Sequence, residues 1–107
     1  VQELINGYRD IYISRARKAG LSVWGGTLLP ICGWRTYQSF REEMKNRFNE
    51  WIRTTDLLDG CVDFDLALRD PEHPEAFLKQ FDSGDHLHPS EAGYRKMADT
   101  IPEILLK

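Results

Sequence analysis

Asp85-His86-Leu87-His88-Pro89-Ser90-Glu91-Ala92-Gly93-Tyr94 is the stretch from which the rest of the chain can be read. Ser90 suits the N-cap of a helix because its hydroxyl can accept a free backbone N–H, and Glu91 suits the positive end of the helix dipole. Pro89 has no N–H to donate and holds His88 in extended geometry, so the preceding loop is stiff. A stiff loop can turn Asp85 and His88 to the same side. Asp85 would then accept Nδ1–H of His88 and leave Nε2 free as a general base. The same residues also suit an ordinary polar loop that caps a helix.

Working outward, the apolar pattern alternates helices with short strands. Gln2 to Ala19 has Leu4, Tyr8, Ile11, Tyr12 and Ala16 near one helical face, and Gly20 is placed to end it. Leu21 to Leu28 reads as a strand whose Gly25-Gly26 pair signals close approach, by a packed helix or by a ligand. Gln38 to Thr54 is a helix with Phe40, Met44, Phe48, Trp51 and Ile52 as its inner stripe, and Glu43 and Arg47 paired outside. Cys61 to Phe64 gives a second strand, with Asp63 and Asp65 near its end in capping, solvated or site-supporting roles. Asp70 to Pro74 is turn chemistry before a short helix over 76–81. A last helix runs from Ser90 to Leu106, kinked or restarted at Pro102.

This order predicts an α/β fold with right-handed βαβ units and a parallel sheet of about two short strands among three to four helices. Two parallel strands cannot cover themselves, since such sheets are buried on both faces. The loop from Leu29 to Tyr37 leaves the C-terminal end of a strand, where open α/β sheets bind ligands. Its Trp34 and Tyr37 either line an acyl or sugar pocket or cover a core edge.

Composition narrows the function classes. The chain has 107 residues, 41% hydrophobic and 29% charged, which fits one domain at most. The net charge of −3 is spread along the chain, so no basic face points to nucleic acid. No apolar run is long enough to cross a membrane, and no signal peptide is visible. A first residue of Val, with a helical pattern starting at once, suggests a fragment or processed chain and assigns no compartment. Cys32 and Cys61 fall at opposite ends of parallel neighbours, roughly 15–20 Å apart at ~3.3 Å per residue. That exceeds the ~7 Å limit for a bridge, so two free, buried thiols are expected.

The segment from Gly84 to Tyr94 resembles the last sequence block of the SGNH, or GDSL, esterases and lipases, which carries that family's Asp-x-x-His. Val62-Asp63-Phe64-Asp65, Leu68-Arg69-Asp70-Pro71, Phe81-Asp82-Ser83-Gly84 and Gly25-Gly26-Thr27-Leu28-Leu29-Pro30 extend the resemblance over most of the chain. The resemblance implies a three-layer, flavodoxin-like α/β fold in which residues 1–107 form the C-terminal half of one hydrolase domain. It implies ester hydrolysis of a small-molecule, carbohydrate or lipid ester, with Asp85 and His88 as catalytic residues and no cofactor. The family's Gly-Asp-Ser nucleophile block and its Gly-x-Asn-Asp oxyanion-hole block are not in this sequence; Ser14, Ser22, Ser39, Ser83 and Ser90 do not follow Gly-Asp. The chain alone is therefore expected to be inactive and to dimerise through its uncovered sheet edge and helix faces. Two alternatives stand beside this: a non-catalytic interaction module, and a metal site at Asp85, His86 and His88, with His73. If Asp85 and His88 carry the acid–base chemistry, His86→Ala is expected to keep most activity.

Overall fold

A computed structural model describes residues 1–106. One continuous helix opens the chain: α1 (Gln2–Gly7), a π-helical stretch (Tyr8–Ile13) and α2 (Ser14–Lys18). The strand β1 (Trp24–Gly26), the long helix α3 (Ser39–Thr54) and the strand β2 (Gly60–Val62) form a βαβ unit. Next come α4 (Phe64–Leu68), a 3-10 turn at Lys79–Phe81, α5 (Glu91–Thr100) and a second 3-10 turn at Glu103–Leu106. β1 and β2 are parallel, with Trp24 opposite Gly60, Gly25 opposite Cys61 and Gly26 opposite Val62. The fold is a small α/β fold, as the alternation of patterns implies.

The strands are shorter than the sequence pattern suggests because side chains take over their ends. At one end the Asp59 carboxylate accepts Val23 N–H at 2.6 Å and the Arg17 guanidinium at 3.0 Å, while Asp59 N–H donates to Val23 O. At the other end Asn49, wholly buried in α3, accepts Leu28 N–H at 2.7 Å and donates to Leu28 O at 2.9 Å. A helix side chain thus pairs with the backbone as a neighbouring strand would. The expected strand over Leu21–Leu28 is accordingly confined to Trp24–Gly26. The second strand stops at Val62, not Phe64, because Asp63 caps α4 by accepting Leu66 N–H at 3.1 Å.

Helix faces also depart from simple periodicity. A π turn sets the chain further round than 3.6 residues per turn, so Ile13 is buried while Tyr12, expected inside, is exposed. On α3 the buried residues are Lys45, Phe48, Asn49 and Ile52, whereas Phe40 and Met44 of the expected stripe are exposed. Lys45 pairs with Glu42 at 3.2 Å, and among the described residues Glu43 and Arg47 form no ion pair. The short helix expected over 76–81 is mostly replaced by an antiparallel bridge between Arg69 and Phe77; only Lys79–Phe81 turns. Pro102 restarts the last helix as a 3-10 turn, and the expected inner residues Tyr94, Ile104 and Leu105 lie exposed.

The core is Ile13, Phe48, Ile52, Val62, Leu68 and Phe77. The Gly25-Gly26 pair is explained by packing. A Cβ on Gly25 would approach Leu58 and Ile52 within 2.7–3.2 Å, and one on Gly26 would meet the Phe64 ring at 3.0 Å. Cys32 and Cys61 are free, as expected, though only half-buried, and burial pushes the Cys61 thiol up. No helix is long and apolar enough to cross a membrane among the described residues. The molecule exposes 7175 Å², where a folded monomer of this size exposes about 6,100 Å². Its radius of gyration is 14.7 Å against about 13 Å for a compact domain of 100 residues.

Asn49→Leu should lower unfolding free energy by about 2 kcal/mol, because it leaves both Leu28 backbone groups without their partner. Urea unfolding measures this; an unchanged midpoint would show that water replaces the amide at no cost.

Candidate active site

The site loop is closed at its base before any functional side chain is placed. Asp82 and Pro89 form an antiparallel bridge, Ser83 N–H donates to His88 O at 3.1 Å, and Ser90 N–H donates to Phe81 O at 2.8 Å. The Ser90 hydroxyl caps α5 by accepting Gly93 N–H and donates to Gln80 O at 2.6 Å. Gly93 lets the helix lie against the chain at Phe81, since a Cβ there would come within 2.7 Å of Phe81 O. Gly84 and His86 adopt positive φ, +113° and +62°, and turn the chain between them.

On this loop Asp85 and His88 meet. Asp85 Oδ2 lies 2.6 Å from His88 Nδ1, and Oδ1 accepts His88 N–H, Leu87 N–H and the Ser83 hydroxyl at 2.8–3.0 Å. These bonds, the one from the His88 ring first, hold the Asp85 carboxyl well below the usual carboxylate range. An ionised Asp85 can only accept, so Nδ1 carries the proton and Nε2 presents its lone pair. The His88 side chain is 63% exposed, so the side of the ring away from Asp85 is open to solvent.

A second Asp–His pair stands beside the first and is not apparent from the sequence. Asp82 Oδ2 is 2.5 Å from His86 Nδ1, and Asp82 Oδ1 accepts N–H of Gly84 at 2.8 Å and of His86 at 3.1 Å. Burial raises the Asp82 carboxyl, but these donors outweigh it and hold the group below its ordinary value. His86 therefore answers to Asp82, and His88 to Asp85. His73 sits 3.9 Å from Glu75, apart from both. Among the described residues no three His, Cys, Asp or Glu side chains form a group that could hold a metal ion; His86 and His88 turn to different carboxylates.

Near the loop lies an apolar cavity of about 650 Å³, with Leu28, Leu29, Ile31, Trp34, Leu87 and Met97 among its walls. Leu87 belongs to the loop itself, between the two histidines. Trp34 lines this cavity; Tyr37 does not, and its hydroxyl donates to Glu42 at 3.3 Å. Burial and then the Glu42 charge push the Tyr37 phenol up to about 12.

Asp63 and Asp65 act as braces. Arg53 donates to both carboxylates at 2.7–3.0 Å, and Arg69 donates to Asp65 at 3.2 Å. The Thr27 hydroxyl donates to Asp63 and accepts Asp65 N–H, joining β1 to the start of α4. Asp65 is buried rather than solvated. The Asp-x-x-Leu spacing from Asp63, an N-cap signal before an apolar residue, was the sequence clue to this helix.

The site is thus an Asp–His pair on the loop before the last helix of a parallel α/β fold. The GDSL-like Lipase/Acylhydrolase family model matches residues 1–101, and the chain belongs to that family. A search of curated proteins returned no match.

Acid should act on this site in one direction. An aspartate whose folded pKa is depressed stabilises the fold above its unfolded value of about 3.9 and stops doing so as pH falls through the folded value. Asp63, Asp82 and Asp85 are all of this kind. The melting temperature should hold from neutral pH to about pH 4 and fall below it. Asp85→Asn should make that fall shallower in melts taken from pH 7 to pH 2; curves of equal steepness would show that Asp85 has no preferred partner in the fold.

Proposed function

We propose that this chain supplies the acid–base half of a serine ester hydrolase and forms the C-terminal half of that hydrolase domain. A serine outside this sequence attacks the ester carbonyl, and His88 Nε2 takes its proton. Asp85 orients the imidazole and stabilises the imidazolium, and His88 then protonates the leaving alcohol. The observation that carries this reading is the 2.6 Å contact between Asp85 Oδ2 and His88 Nδ1 with the far side of the ring open. The substrate is a small-molecule, carbohydrate or lipid ester whose apolar part lies along Trp34 in the neighbouring cavity. Family membership supports the ester chemistry.

A second property, association of the chain with itself as a homodimer, is favoured by the exposed surface. The excess over a typical monomer is on the order of 1,000 Å², and exposed apolar side chains run along α1 (Leu4), the π-helical stretch (Ile11, Tyr12), α3 (Phe40, Met44) and the C-terminal turn (Ile104, Leu106). Patches beyond a few hundred Å² mark interfaces, and a two-fold pair is the commonest closed form. The same surface suits a non-catalytic interaction module, or the missing half of the domain.

The chain alone should show no turnover of a short-chain nitrophenyl ester, since loss of oxyanion-hole donors alone costs about 10²–10³ in rate. Turnover that vanishes in His88→Ala would overturn this by revealing a nucleophile within the chain. In a protein that joins this sequence to a nucleophile-bearing half, His88→Ala should nearly abolish turnover and Asp85→Asn should lower kcat by about 10⁴. Full activity of either variant would exclude the assignment.

Sedimentation of the chain at micromolar concentration should show a dimer. A stable, well-folded monomer would show that the fold tolerates its open faces.

A further inference from the structure

Asp82 and His86 take no part in the reaction outlined above, yet they form the shorter of the two Asp–His contacts. We propose that Asp82 and His86 are positioning residues for His88: their pair fixes the turn on which Asp85 and His88 meet and ties that turn to the loop carrying Trp34. The inference rests on the reading of His88 as the base, but its test reads the imidazole directly.

Three observations carry it. His86 is the one non-Gly residue at positive φ among the described residues, at +62°, a left-handed conformation uncommon outside Gly although His takes it more often than most side chains. Asp82 holds that conformation from both ends of the residue, accepting His86 N–H on Oδ1 and facing His86 Nδ1 with Oδ2. The Asp82 side chain is only 13% exposed, against 49% for His86, so the carboxylate is the fixed partner and the ring is the part held.

The left-handed turn at His86 is what lets Asp85 reach forward. With His86 turned, the N–H groups of Leu87 and His88 both point back at Asp85 Oδ1, and the His88 ring falls on Oδ2. In an extended chain, side chains alternate sides, and Asp85 and His88 would not share one. The pair at Asp82 and His86 thus sets the geometry at Asp85 and His88 without touching either ring nitrogen of His88.

Gly33 ties the same turn to a second loop. It too has positive φ, +97°, and a Cβ built there would lie 3.0 Å from Cγ and Cδ2 of the His86 ring. The ring is therefore pressed against the Gly33 backbone, next to Trp34 in the cavity wall. His86 connects the loop of the base to the loop of the apolar cavity.

Nitrogen NMR of the histidine rings in the whole 107-residue chain tests this. In the wild type, His88 should be a single Nδ1–H tautomer at neutral pH with a downfield Nδ1 proton. Asp82→Asn should lose that proton signal and mix the two tautomers at His88, although residue 88 and its partner Asp85 are untouched. His86→Gly, which adopts φ +62° freely but lacks the ring, should do the same, and this variant decides the matter if Asp82→Asn fails to fold. Gly33→Ala, which displaces the ring, should shift the His88 signals in the same direction. A folded His86→Gly or Asp82→Asn chain that keeps the wild-type His88 tautomer would overturn the proposal, whereas loss of stability alone would leave the tautomer in place and count against it. Because no turnover is measured, this result and the fate of the hydrolase reading can be told apart.

Discussion

The Asp85 carboxylate is the constraint on which the site depends. It takes a hydroxyl, two backbone N–H groups and an imidazole N–H at once. Charge-assisted bonds of this kind are shorter and stronger than neutral ones, and here they act on consecutive residues of one loop. The same carboxylate therefore folds the loop and fixes the proton on His88. Pro89 and the Ser90 cap then pass the loop directly into α5. The fold of the loop and the orientation of the His88 ring arise from one group.

Elsewhere, too, side chains complete what a two-stranded sheet lacks. Asn49 and Asp59 satisfy backbone groups beyond the ends of β1, and Thr27 links β1 to Asp63 and Asp65. Arg53 bridges those two aspartates, and Arg69 and Lys45 add positive charge at Asp65, so the pair sits at the C-terminal end of the sheet among three cations. These polar braces hold the sheet with few strand–strand bonds. They do not cover it, and apolar side chains on α1, α3 and the C-terminal turn stay in solvent.

Much of this was legible in the sequence, and the parts that were not share a physical cause. The α/β alternation, the extent of α3, the Ser90 cap, the break at Pro102 and the meeting of Asp85 with His88 followed from local rules of periodicity, capping and loop stiffness. What local rules missed were groups satisfied by partners far away in the chain. Lys45 and Asn49 are polar and fall outside the apolar stripe expected on α3, yet they are buried against Glu42 and Leu28. The sequence left Asp65 open between capping, solvated and site-supporting roles, and its buried pairing with Arg53 and Arg69 shows only in the fold. The π turn that brings Ile13 inward leaves no mark in a 3.6-residue pattern. Asp82 and His86 are four residues apart outside any helix, and the positive-φ backbone at Gly84 and His86 brings them together. The family resemblance pointed to Asp85 and His88 and was silent on this second pair.

The central claim is that Asp85, the direct partner of the ring, sets which nitrogen of His88 is the base. The most direct measurement is the His88 ring tautomer in wild-type chain and in Asp85→Asn, read from nitrogen NMR at neutral pH. The account predicts an Nδ1–H ring in the wild type and, in Asp85→Asn, loss of its downfield proton with a shift toward the Nε2–H form. A wild-type His88 that carries its proton on Nε2, or a tautomer that Asp85→Asn leaves unchanged, would contradict it.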